Sequence, residues 1–102
     1  MAKFQQMIAS SPTPVLVDFF TQWCGPCHQL NRNMKATVIE PVMKDRVKFE
    51  KIDTEQHPAV ADHFHIHKLP TLVLFKDGQA VDRVEGLMSA QDLQMYLLKL
   101  LK

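Results

Sequence analysis

A chain of 102 residues has room for one domain, and 46% hydrophobic with 23% charged residues are the proportions of a globule that can bury its own core. The formal net charge of +1, with no basic run interleaved with aromatics, nominates neither nucleic acid nor a membrane surface as partner. Two closely spaced cysteines do not make a disulfide-stapled scaffold, and no stretch reads as a signal peptide or a membrane span, so the chain is expected to be cytoplasmic; the mature domain of an exported protein would look the same.

Phe4, Met7 and Ile8 recur at helical spacing and predict a short helix over Lys3 to Ile8. Pro12 and Pro14 end it. Val15 to Phe20 is a nearly continuous apolar run, as in a strand covered on both faces, with one charge, Asp18, in its middle. Pro26 suits the first turn of a helix, and Cys27, Leu30, Met34 and Val38 then follow at helical spacing. That helix is expected to run to about Ala36, with a break at Pro41 and a short turn through Met43. Val47 to Ile52 alternates as a half-buried strand. Pro58 opens a helix carrying Val60, Ala61 and Phe64, and Thr71 to Phe75 is a second continuous apolar strand. Asp77-Gly78 supplies the positive φ angles of a tight hairpin leading to a partner strand, Ala80 to Glu85, which Gly86 ends. Ser89, with Asp92 three residues on, caps a last helix whose Leu93, Tyr96, Leu97, Leu100 and Leu101 share one face. The order α-β-α-β-α-β-β-α predicts an α/β domain: a mixed sheet with helices on both faces and an antiparallel hairpin at one side.

The chemistry lies in Trp23-Cys24-Gly25-Pro26-Cys27, at a strand-to-helix junction. At a helix N-terminus, unpaired N–H groups and the macrodipole favour an anion, which lowers the pKa of a thiol at Cys24. Cys27, one turn further in, is close enough to form a disulfide with it, so the pair provides a nucleophile and a resolving group. The competing readings are half of a metal site and a chance pair of buried thiols. A structural zinc needs about four ligands, and no second cysteine pair supplies them. His63, His65 and His67 suggest a metal only if a helix end and a loop bring them together. His28, four residues after Cys24, has two readings: a cation supporting the Cys24 thiolate, or a solvated surface residue.

Trp-Cys-Gly-Pro-Cys after a Val-Asp-Phe strand resembles thioredoxin, and the resemblance extends from about Val15 to Leu93. Lys51 matches a lysine in the family's next strand, Leu69-Pro70-Thr71 its cis-proline loop, Phe75-Lys76-Asp77-Gly78 its hairpin, and Gly86 the glycine before the last helix. The resemblance implies a thioredoxin-like fold with a four-stranded sheet, because the extra N-terminal strand of full-length members is missing. It implies a protein-disulfide reductase in which Cys24 attacks and Cys27 resolves. Asp18 resembles the carboxylate beneath the pair that shuttles the Cys27 proton through water; its other reading is a structural partner of Lys51. Trp23, Gly25 and Pro26 around the cysteines, and Leu69 and Pro70 facing them, resemble the substrate-binding surface; for Trp23 the alternative is simple packing. No bound metal or organic cofactor is implied. The implied partners are disulfide-containing proteins and a reductase such as thioredoxin reductase, with the chain acting as a monomer. The Gly25-Pro26 turn matches reducing members rather than strong oxidants. The rivals are an interchange or isomerase domain, and a binding module whose redox activity is incidental.

Four departures stand out. Phe20 occupies the place of a frequent second tryptophan, Arg32 that of a helix-kinking proline, and Lys35 to Asp45 is longer than usual. His65 replaces a helix-ending glycine and is expected to adopt a positive φ.

Overall fold

The computed structural model describes residues 1–38 and 45–100. Eight elements follow one another: α1 (Ala2–Ser10), β1 (Val15–Phe20), α2 (Gly25–Val38), β2 (Lys48–Asp53), α3 (Pro58–His63), β3 (Thr71–Lys76), β4 (Gln79–Glu85) and α4 (Ala90–Leu100). They match the predicted order. The expected break at Pro41, the turn through Met43 and the position of Leu101 lie outside the described residues.

The four strands form one mixed sheet in the order β2-β1-β3-β4. β1 runs parallel to β2 and antiparallel to β3, and β3 pairs with β4 as a hairpin. β1 and β3 are central and buried on both faces, which is why they read as apolar runs that only Asp18 interrupts before their ends. Side chains alternate between the faces. Leu16, Leu72 and Leu74 pack with Leu30 and Met34 of α2 and Leu93 and Leu97 of α4. Val15, Val17, Phe19, Val73 and Phe75 point the other way, onto Phe4 and Ile8 of α1 and Val60 of α3. Phe64 completes that second layer, its ring 5.7 Å from Phe4 and 5.1 Å from Phe75, both edge-on.

Local chemistry sets the ends. β2 starts one residue later than the hydrophobic pattern suggests, because the Lys48 N–H donates to the Pro14 carbonyl at 2.9 Å and begins the ladder with β1. Asp77 and Gly78 both have positive φ (54° and 79°), as a two-residue hairpin turn needs. His65 also has a positive φ, 53°, as expected where it stands just past α3. Arg32 lies within an uninterrupted α2 and donates to the Gln29 side chain. The Ser89 hydroxyl accepts the Asp92 N–H at 3.0 Å, satisfying one of the unpaired donors at the start of α4. Ser89→Ala should therefore cost about 1 kcal/mol, read as a lower denaturant midpoint with an unchanged slope.

Candidate active site

The sheet register gathers the candidate residues at one end. β1 ends at Phe20, and the chain passes through Thr21–Trp23 into Cys24 and α2. β3 runs antiparallel to β1, with Thr71 opposite Phe19, so Leu69 and Pro70, just before Thr71, lie at that same end. In the parallel ladder with β2, Lys51 stands opposite Asp18 and Asp53 opposite Phe20.

Cys24 and Cys27 are joined in a disulfide, with Cα atoms 5.2 Å apart. The two sulfurs have unlike surroundings. Cys24, before the first turn of α2, is partly exposed, whereas Cys27 is only 2% exposed. The Cys27 backbone N–H donates to Cys24 Sγ at 3.2 Å. This is one of the orphan donors of the helix start, aimed at the sulfur that would carry charge after reduction.

Asp18 lies on the face of β1 that carries Leu16, two residues nearer the redox end. Leu16 packs under Leu30 of α2, and Cys27 is one helical turn before Leu30, so alternation places Asp18 beneath the first turns of α2. Its side chain is fully buried, and neither carboxylate oxygen has a hydrogen-bond partner among the described residues. Burial without donors disfavours the charge and pushes the carboxyl from its ordinary 3.8 up to about 6; the positive charge of Lys51 offsets part of that rise. Lys51 does not clasp the carboxylate. Its Nζ sits over the Phe20 ring, 4.5 Å from the centroid, a cation–π contact at the exposed end of the same sheet face. The aromatic at position 20 thus does more than alter packing: it seats the Lys51 cation that lowers the Asp18 pKa.

Trp23 is 84% exposed, so the simple packing reading of this residue does not hold. Gly25 and Pro26 are exposed beside it. The Leu69–Pro70 bond is cis, with Leu69 half-buried and Pro70 buried. Hydrogen bonds hold that loop and the end of α3 before it. The Gly86 N–H donates to the Pro70 carbonyl at 2.8 Å, the Thr71 hydroxyl donates to the Lys68 carbonyl, and the Arg83 guanidinium donates to the carbonyls of Phe64 and His65. Arg83 is not legible in the sequence as a site residue, because nothing local marks an arginine on β4 as a clamp on the end of α3. His63 lies edge-on against Phe64, and among the described residues no group of three or more metal-ligating side chains comes together.

The family model described as Thioredoxin matches residues 1–99. The chain belongs to the thioredoxin family. A thioredoxin-like protein of Synechocystis sp. is 46% identical over 94% of this chain and 93% of its own length. Thioredoxin 1 of Synechococcus elongatus is 44% identical over 83% of this chain and 78% of its own. Among solved structures, chloroplastic thioredoxin z superposes with a TM-score of 0.84 at 34% identity, covering 96% of this chain and 87% of that one. The chain is a thiol–disulfide oxidoreductase that reduces protein disulfides by dithiol–disulfide exchange through Cys24 and Cys27. The family acts on disulfide substrates and is re-reduced by a reductase. Among the described residues, no helix is long and apolar enough to cross a membrane.

Proposed function

We propose that the two cysteines have fixed and different roles, set by their unequal exposure. The Cys24 thiolate attacks one sulfur of a protein disulfide, that S–S bond breaks, and the departing sulfur leaves as a thiolate that takes up a proton. Cys27 then loses its proton and attacks Cys24 Sγ. The mixed disulfide breaks, the second substrate thiolate leaves, and two electrons have passed from the Cys24–Cys27 pair to the substrate. The observation that carries this reading is the contrast between a partly exposed Cys24, with a helix N–H on its sulfur, and a Cys27 that no large substrate can reach.

Asp18 takes the Cys27 proton. A carboxyl raised to about 6 accepts and returns a proton near neutral pH more readily than one at 3.8. Lys51 keeps that value from rising further, and Phe20 holds Lys51 in place. The substrate lies across Trp23, Gly25 and Pro26 on one side and the Leu69–Pro70 backbone on the other, as an added extended strand. Gly86 occupies the Pro70 carbonyl, so the docking backbone is that of Leu69.

The chain works as a cytoplasmic monomer without a bound metal or organic cofactor, and a thioredoxin reductase returns its electrons. The redox pair supplies both electrons the exchange transfers, and a reducing compartment keeps such a pair supplied with electrons. The test is capture. Reduced Cys27→Ser protein, mixed with insulin, should accumulate a mixed disulfide that peptide mapping places on Cys24. Capture through any other residue, or none, would remove the assignment.

A further inference from the structure

His28 has a partner that neither of its sequence readings foresaw. Its Nε2 lies 2.8 Å from the backbone carbonyl oxygen of Gln22. A carbonyl only accepts, so Nε2 carries the hydrogen; that N–H exists in one neutral tautomer as well as in the cation, and the contact needs no charge. Gln22 and Trp23 are the central residues of a turn that the Cys24 N–H closes onto the Thr21 carbonyl at 3.4 Å. In a four-residue turn the peptide between the two central residues is the one whose orientation separates type I from type II. Its oxygen here is that of Gln22. His28 also sits in the first turn of α2, its own N–H bonded to the Cys24 carbonyl at 3.3 Å. The side-chain bond therefore ties residue 22 to residue 28 across the whole of Trp23-Cys24-Gly25-Pro26-Cys27.

From this geometry we infer that His28 is a positioning residue for substrate docking. It holds the Gln22–Trp23 peptide in one orientation and so fixes where the 84%-exposed Trp23 projects beside Cys24. It does not touch the reacting sulfurs, and its effect falls on large substrates that use the Trp23 surface, not on the exchange itself. The inference rests on the reductase reading only for its kinetic half.

The chain has a single tryptophan, so the fluorescence of the oxidised protein reports Trp23 alone. Time-resolved anisotropy and steady-state kinetics are measured for the parent chain, His28→Ala and His28→Gln. The glutamine keeps an N–H donor near the place of Nε2 and carries no ionisable group. The expected result is faster local motion of Trp23 in His28→Ala and a KM for insulin raised about three- to tenfold, the size one exposed hydrogen bond supplies. The turnover number at saturation, and the rate with a small aromatic disulfide, should stay within about twofold, and His28→Gln should restore both Trp23 motion and KM. Unchanged anisotropy and KM in His28→Ala would overturn the inference. So would a His28→Gln variant as impaired as His28→Ala, which would point to charge instead. A parent chain that reduces no insulin would defeat the reductase reading, while the anisotropy would still decide the tether. His28 is exposed, so both variants are expected to fold, with the denaturant midpoint of His28→Ala lowered by no more than one exposed hydrogen bond supplies. If His28→Ala does not fold, a His28→Gln chain whose Trp23 moves as in the parent supports the tether, and one whose Trp23 moves faster overturns it.

Discussion

Asp18→Asn should make the oxidised protein more stable at pH 8 and slower as a reductase. The carboxyl has a pKa of about 6 in the folded chain against 3.8 for an unburied aspartate, so the fold binds its proton more tightly than the unfolded chain does. Below 3.8 the group is neutral in both states and contributes nothing. As the pH rises through the window from 3.8 to 6, the unfolded chain ionises first and folding stability falls. Above about 6 the buried charge carries its full penalty, about 3 kcal/mol from that difference. An amide leaves the same site uncharged, so the gain at pH 8 should approach that size and shrink toward zero by pH 4. Denaturant titrations of parent and variant at the two pH values check it. An aspartate held in place by a direct pair with Lys51 would give the opposite sign at pH 8. The functional arm is the release of the mixed disulfide, which should slow by about 10- to 100-fold, at or below the foot of the usual range for a lost acid–base group. Stopped-flow release of substrate thiols reads it.

The second large effect separates the cysteines. Cys24→Ser should abolish reduction of protein disulfides, a loss on the order of 10⁴-fold or more, because serine offers no thiolate near neutral pH and Cys27 is buried. Cys27→Ser should keep the first attack at nearly the parent rate and stall afterwards. A single-turnover series with a fluorescent protein disulfide distinguishes the two: no burst for the first, one thiol released per chain for the second. Equal behaviour of the two variants would mean that exposure does not set the order of attack.

Much of this site could be read from residues in a row. The nearly continuous apolar run Val15–Phe20 and the continuous run Thr71–Phe75 are the two central strands because both of their faces are covered. Asp18 inside the first run was visible as a charge where a charge is costly. The positive φ at His65 followed from the resemblance, since His65 stands where the family commonly has a helix-ending glycine. Contacts across the sheet and around the turn were not visible. That Lys51 reaches the Phe20 ring instead of the Asp18 carboxylate depends on strand register and on which end of the face is exposed. The exposure of Trp23 depends on the turn that carries it. A tryptophan is more often covered than not, and only the placement of Thr21–Cys24 off the end of β1 lifts this one into solvent. The bond from His28 to Gln22 spans six residues and involves a backbone oxygen, so no residue type marks its acceptor.

The pairing of roles at Cys24 and Cys27 has a direct stoichiometric test. Fully reduced protein is mixed with an excess of insulin, quenched in acid, alkylated and analysed by peptide mass mapping. The account predicts two new insulin thiols for each chain consumed, and a Cys24–Cys27 disulfide as the sole oxidised product of this protein. Insulin left intact, or one thiol per chain with Cys27 still alkylated, would contradict it.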